Sequence, residues 1–152
     1  MKFLLILALL VPGATGADEF QVWGKSDQDS HFVSVPELIG RPEFFMGQPV
    51  SVVGVAQFRD GNQPVLRLYA TSEDLRNSVP AAVKIGSFAR SLKMSPEELA
   101  LLNGKTLVIE GTFLIFERPK LKPGKKPNAI CIGDCGVAGE IVDIVRITTW
   151  PP

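Results

Sequence analysis

Cys131 and Cys135 are the two cysteines of the chain and its sharpest local chemical feature. In an oxidising compartment such a pair most simply forms one disulfide, closing a small ring worth about 2 kcal/mol on the chain-entropy model. A redox-active pair is the alternative, but three residues rather than two separate the thiols, and no thioredoxin-like pattern surrounds them. Free thiols are the third possibility. The sequence therefore predicts a structural disulfide.

Side chains that could ligate a metal or exchange protons are sparse. His31 is the single histidine, so the sequence predicts a solvated residue rather than a metal ligand. Asp27 and Asp29 alternate as calcium ligands do, but the later glycine and glutamate of an EF-hand loop are missing. Glu97 and Glu98 follow the pattern of a helix N-terminus. Hydrolase, transferase and phosphate-loop motifs are missing too, so we expect no enzyme, metal or cofactor.

The N-terminus predicts a secretory signal peptide over residues 1–16. A basic start precedes the apolar run Phe3 to Val11, and Ala14 and Gly16 are small residues where a signal peptidase reads them. The apolar run is about half the length that a membrane helix needs, and no cysteine follows it for a lipid anchor. A buried N-terminal strand or helix is the alternative. We expect a mature chain that begins near Ala17, in the periplasm or outside the cell.

Positive charge is concentrated in one short segment. The chain has 16 basic and 16 acidic residues, which excludes a uniformly basic nucleic-acid coat protein. No acidic residue falls between Arg118 and Asn128, and the three prolines and one glycine of that stretch predict a loop. The chain is thus an acidic body with one basic loop, whose cations are Arg118, Lys120, Lys122, Lys125 and Lys126.

Apolar periodicity predicts five strands after a polar N-terminal arm. The arm, residues 17–33, is expected to be flexible or loosely docked because it is rich in polar residues. The strands follow a period of two and are predicted over Gln48 to Phe58, Val65 to Ala70, Ala81 to Ile85, Lys105 to Phe116 and Gly139 to Thr149. In the last strand the spacing of Ile141, Ile144 and Ile147 breaks the period, which predicts a β-bulge.

Capping signals predict short helices between these strands. Ser95, Pro96 and Glu98 form the strongest helix start in the chain, with a serine cap, a proline in the first turn and a glutamate that closes the capping box. A capping box also begins at Ser34, and Thr71 starts a turn or short helix. The best predicted helix therefore lies between the third and fourth strands.

The order of three strands, a capped helix and two strands resembles the OB-fold, a five-stranded Greek-key β-barrel. The segments Gly47 to Val55, Leu102 to Gly111 and Gly139 to Ile147 resemble its opening strand, its helix exit with the fourth strand, and its last strand. From Ser34 to Trp150 the chain is similar to small secreted bacterial OB-fold proteins, including the nucleic-acid-binding-like kind. The resemblance implies one mainly β domain over residues 34–152. OB-folds bind nucleic acid, oligosaccharide or protein, so the fold alone does not select a ligand.

The resemblance also implies where a ligand would bind. OB-folds hold ligands on the outer face of strands 2 and 3 and on the loops that join strands 1 to 2 and 4 to 5. In this chain that face would show Arg67, Tyr69 and Lys84, with Arg59 in the first loop and the basic loop as the second. Cations beside an aromatic ring suit an anionic ligand that also stacks. The alternative is that these residues are ordinary outward side chains and that the loop is merely solvated.

These features predict a secreted, non-enzymatic OB-fold module that binds a protein partner or an anionic component of the cell envelope. Binding of single-stranded nucleic acid or an oligosaccharide by the same face is the second hypothesis. It ranks lower because one tyrosine is a small stacking platform and because the acidic body opposes long polyanions. A third hypothesis is a structural subunit that pairs through an exposed strand edge.

Overall fold

A computed structural model describes residues 20–26, 28–59, 65–77, 82–86, 92–116 and 137–150. Its strands are β1 (Val22–Gly24), β2 (His31–Ser34), β3 (Pro49–Arg59), β4 (Val65–Tyr69), β5 (Ala82–Ile85), β6 (Thr106–Ile115) and β7 (Val137–Thr149). Its helices are α1 (Val35–Gly40), α2 (Pro42–Phe45), α3 (Ser72–Arg76) and α4 (Pro96–Leu101). In these parts of the chain no helix has the length and apolar character that crossing a membrane requires. The predicted signal peptide, Asp27, the basic loop and both cysteines lie outside the described residues.

Within the described residues, strands β3 to β7 close a five-stranded barrel. Strand β3 pairs with β4, β4 with β5, β5 with β7, β7 with β6, and β6 with β3. The β5–β7 pair is parallel, whereas the other pairs are antiparallel. Helix α4 comes between β5 and β6 in the chain. This connectivity is that of the OB-fold Greek key, so the predicted fold class is confirmed.

Two further strands enlarge one end of the barrel. Strand β2 pairs in parallel with residues 50–53 of β3, and β1 pairs antiparallel with residues 146–148 of β7. The result is a second sheet in the order β2-β3-β6-β7-β1, which we call the extension. Strand β1 and all but the last residue of β2 come from the segment expected to be a flexible or loosely docked arm, and neither strand was predicted from the sequence.

A β-bulge lies where β6 and β7 pass from the barrel into the extension. The register of this pair shifts between Glu110 and Thr112 of β6. The residues inserted on β7 include Asp143, whose φ of 49° is in the left-handed region. Extra residues on one strand bend it and increase its local twist. The predicted bulge is confirmed.

The core fills the barrel and continues under the extension. Leu66 and Leu68 of β4 and Val83 and Ile85 of β5 are buried, as strand alternation predicts. Phe113 of β6 has the largest fully buried side chain in the described residues. Burial of these inward faces leaves the opposite face of each strand for solvent, helices or a ligand.

Helix α4 begins with the predicted capping box, which also holds β1. The Ser95 hydroxyl accepts a hydrogen bond from the Glu98 N–H at 3.2 Å, and Glu98 Oε2 accepts one from the Ser95 N–H at 2.7 Å. Glu98 Oε1 accepts a further bond from Trp23 Nε1 at 3.2 Å. The Ser95 backbone N–H, and after it the Trp23 indole, hold the pKa of Glu98 below its usual value. One carboxylate therefore ties α4 to β1.

The other two predicted start signals also cap helices. The Ser34 hydroxyl accepts from the Glu37 N–H at 3.4 Å at the start of α1, which ends at Gly40. The Thr71 hydroxyl accepts from the Asp74 N–H at 3.0 Å at the start of α3. Local capping chemistry therefore explains where each of these short helices begins.

Gly111 is the residue of β6 at the bulge, and it has no room for a side chain. A Cβ there would lie 2.6 Å from the Val142 carbonyl oxygen. We expect Gly111→Ala to lower the free energy of unfolding by about 1–3 kcal/mol, as overpacking does. Gly40→Ala is the matched control, because nothing lies within 4 Å of the Cβ it would gain. Urea denaturation measures both variants, and equal stabilities would contradict the tight approach at the bulge.

Candidate ligand-binding groove

The face predicted from the OB-fold resemblance carries a row of polar residues. Gln57 of β3, Arg67 of β4 and Lys84 of β5 are successive partners in the barrel register, and Lys84 is followed by Glu140 of β7. Arg67 and Lys84 are half-buried. Lys84 Nζ lies 5.8 Å from the centroid of the Phe116 ring. The structure thus brings two of the predicted cations together, beside an acidic residue that the prediction did not include.

Tyr69 does not offer its ring to a ligand on this face. Its side chain is on the outward side of β4, as alternation predicts, but the residue is only 3% exposed. The hydroxyl donates to Gln57 Oε1 at 3.1 Å. A small cavity of about 330 Å³ beside it is lined by four residues of α1, by Tyr69 and Ala70, and by Asp74 of α3. The expectation of an exposed tyrosine is therefore wrong, because elements packed outside the barrel cover a position that strand alternation marks as outward.

The remaining predicted residues are only partly described. Arg59 ends β3 and is exposed. His31 is exposed on β2, with its ring edge-on to Phe44 and Phe45 at centroid distances of 6.4 and 6.3 Å. No group of three His, Cys, Asp or Glu side chains in the described ranges could hold a metal ion. Predictions that lie outside those ranges stay predictions, and they concern Arg118, Lys120, Lys122, Lys125, Lys126, Cys131 and Cys135.

A larger concave surface lies on the outer face of the extension. Its volume is about 490 Å³. We call it the aromatic groove, and its lining residues are Phe20, Val22, Phe32, Ser51, Val108, Glu110, Arg146, Thr148, Thr149 and Trp150. None of these residues belongs to the face that the sequence analysis predicted.

Strand alternation determines which residues form the floor of the groove. Strand β6 buries Leu107 and Ile109 in the core, so Val108 and Glu110 face the other way. The strand register then aligns one residue from each of four neighbouring strands, beginning with Phe32 at one side and continuing through Ser51, Glu110 and Arg146 in the floor.

Three exposed aromatic side chains form the walls. Phe20 and Phe32 are each 61% exposed, and Trp150 is 49% exposed. Strands β3 and β6 separate β2 from β7 in the sheet, yet the ring centroids of Phe32 and Trp150 are 6.2 Å apart. The two rings therefore lean toward each other over the floor. A contiguous apolar surface of this kind commonly marks an interaction site.

Glu110 and Arg146 are the charged residues among those that line the groove. Arg146 Nε donates to Glu110 Oε1 at 2.7 Å, and Nη2 donates to the same oxygen. The Glu110 side chain is only 5% exposed, whereas that of Arg146 is 41% exposed. The carboxylate therefore lies in the floor and the guanidinium reaches toward the opening. The pair makes the floor polar without giving it a net charge.

Hydrogen bonds hold the added strands against the sheet and so fix the walls. The Gln21 N–H donates to Thr149 Oγ1 at 2.9 Å, and the Thr149 N–H donates to the Gln21 carbonyl at 3.0 Å. The hydroxyls of Ser30 and Ser51 are 2.6 Å apart. These contacts position the segments that carry Phe20 and Phe32.

Comparisons with known proteins add no family. No protein-family model matches the sequence, and no curated protein matches it. Among solved structures, the chain is similar to a protein described as an aspartyl-tRNA synthetase from Leishmania major Friedlin, with a TM-score of 0.45 and 15% sequence identity. The similarity covers 82% of this chain and 21% of that one, so the chain spans about a fifth of that protein's length. The OB-fold assignment rests on the strand connectivity described above.

The groove was not predicted from the sequence, because the residues that form it are far apart in the chain. Phe20 and Phe32 fall in the predicted arm, and Trp150 follows the last predicted strand. One signal was present in the sequence: Glu110 interrupts the apolar run of β6. A buried acidic residue needs a partner, and a cation directly opposite on a neighbouring strand can supply one.

Removing Arg146 and removing Glu110 should lower the free energy of unfolding by different amounts. In Arg146→Met the nearly buried Glu110 carboxylate would lose its donor, and an unsatisfied buried group costs about 1–3 kcal/mol or more. In Glu110→Gln the half-exposed guanidinium stays accessible to water, so we expect a loss below about 1 kcal/mol. Chemical denaturation of both variants gives the difference. Equal losses would show that the carboxylate does not depend on Arg146.

Proposed function

We propose that the protein is a non-enzymatic binding module that holds a segment of a protein partner in the aromatic groove. The observation that carries this proposal is the set of exposed rings, Phe20, Phe32 and Trp150, above a floor with one ion pair. Aromatic residues and arginine are enriched at the centres of protein interfaces, where tryptophan and arginine often carry much of the binding energy. The groove combines these residue types in one concave surface.

Anionic ligands are the second candidate, and they favour the other face. Sites for single-stranded nucleic acid combine stacking rings with cations that follow the phosphates. In the aromatic groove Glu110 neutralises Arg146, so the rings lack an excess of positive charge. The β4–β5 face has Arg67 and Lys84 side by side, and the predicted basic loop would extend it, but the ring of Tyr69 is buried. Nucleic acid, an oligosaccharide or an anionic envelope component therefore suits that face less well than a protein suits the groove.

The wall residues should dominate the affinity for a peptide. Random peptides displayed on phage and selected against the mature protein should yield ligands for the groove. We expect Phe32→Ala and Trp150→Ala each to weaken a selected peptide by about tenfold or more, because each removes a wall ring. Leu101→Ala is the matched control, since Leu101 is 53% exposed on α4 but does not line the groove. Titration calorimetry measures the dissociation constants.

Two results would contradict the proposal. Equal affinities of the wall variants and the control would place the peptide outside the groove. The second candidate is tested by fluorescence anisotropy with a labelled single-stranded oligonucleotide at low and near-physiological salt. Binding that weakens steeply with salt and is lost in Arg67→Glu and Lys84→Glu would replace the protein partner with an anionic ligand.

We also propose that the protein is exported, with Ala17 as the first residue of the mature chain. The basic start, the short apolar run and the small residues Ala14 and Gly16 support this proposal. When the full chain is expressed in a bacterium, the intact mass of the exported protein should lack residues 1–16. Ala14→Arg should block cleavage, because the peptidase requires a small residue at that position. An uncleaved wild-type chain in the cytoplasm would refute export.

A further inference from the structure

Arg146 carries more hydrogen-bond donors than Glu110 uses. A guanidinium has five N–H groups. The Nε and Nη2 nitrogens of Arg146 both donate to the same oxygen, Glu110 Oε1. Among the described residues, this side chain makes no other hydrogen bond. Since the side chain is 41% exposed, its remaining donors are available to a molecule in the groove.

Glu110 likewise has a carboxylate oxygen that Arg146 does not use. Its second oxygen, Oε2, receives no hydrogen bond from any described residue. The ion pair thus presents a donor and an acceptor side by side, between walls that are apolar. In an extended peptide outside any secondary structure, each carbonyl needs a hydrogen-bond donor and each N–H needs an acceptor.

The same pair disfavours charged ligands. A carboxylate or phosphate placed against Arg146 would also face the Glu110 carboxylate, and an ammonium placed against Glu110 would face the guanidinium. Juxtaposed like charges are a common means of excluding wrong partners. An uncharged extended segment meets neither repulsion, and its apolar side chains can pack on Phe32 and Trp150.

We infer that Glu110 masks the charge of Arg146 and thereby selects an extended, apolar peptide segment without net charge as the occupant of the aromatic groove. The inference rests on the proposed function and names the chemistry of the partner segment. Glu110 and Arg146 are specificity determinants here, since the rings supply contact area that does not depend on ligand charge.

The test uses three capped peptides and the full mature protein. In each peptide Leu alternates with one other residue, which is Asn, Glu or Lys, and anisotropy gives the dissociation constants at low and near-physiological salt. Wild-type protein should bind the Asn peptide about tenfold more tightly than either charged peptide. In Glu110→Gln the Glu peptide should gain about tenfold in affinity, and this gain should shrink with added salt.

Two further variants separate charge from structure. Glu140→Gln removes the same charge from β7 at a residue that does not line the groove, so it should keep the wild-type ranking. The double variant Glu110→Gln, Arg146→Gln has no charge in the floor, so it should again prefer the Asn peptide. Thermal melts followed by circular dichroism confirm that each variant is folded.

The outcomes distinguish this inference from the proposed function. Wild-type protein that binds all three peptides equally overturns the charge selection but keeps a peptide-binding groove. Glu110→Gln that ranks the peptides as wild type does, or Glu140→Gln that behaves like Glu110→Gln, also overturns it. A wild type that binds none of the peptides overturns both proposals, and a wild type that prefers either charged peptide overturns the selection of an uncharged segment.

Discussion

Three long strands, β3, β6 and β7, each belong to two sheets, and the rest of the structure depends on this sharing. One edge of β3 pairs with β2 and then with β4, and one edge of β7 pairs with β5 and then with β1. Strand β6 joins the two long strands along their other edges. The bulge beside Gly111 supplies the change of twist between barrel and extension. As a consequence, the barrel closes at one end and opens into a broader sheet at the other.

The extension holds a nearly buried carboxylate, Glu110, in its sheet surface. Its inward residues complete the core, so the outward position of Glu110 is surrounded by neighbouring strands and is nearly buried. A buried carboxylate needs a partner, and the cross-strand position of Arg146 supplies one. Apolar residues at both positions would stabilise a fold as well as an ion pair does. Stability alone therefore does not account for a charged pair at these two positions.

Cations and exposed aromatic rings, which OB-fold ligand sites often combine, lie on two different faces of this protein. The β4–β5 face has two cations, but Tyr69, the aromatic residue that would accompany them, is buried beside helix α1. The extension instead gathers three exposed rings around a neutral floor. The elements added to the barrel therefore decide which face carries the exposed rings, because the barrel itself supports many kinds of site.

Features with a short sequence range could be predicted from the sequence alone. The five barrel strands follow apolar alternation, the Ser95–Glu98 capping box spans one helical turn, and irregular isoleucine spacing marks the bulge. The groove could not be predicted, because strands of three and four residues show no period and because its walls meet through contacts such as Gln21 with Thr149, 128 residues apart. The burial of Tyr69 likewise depends on elements outside its own strand. Periodicity and capping act within a few residues, whereas strand pairing and the covering of a surface are long-range events that only the tertiary structure decides.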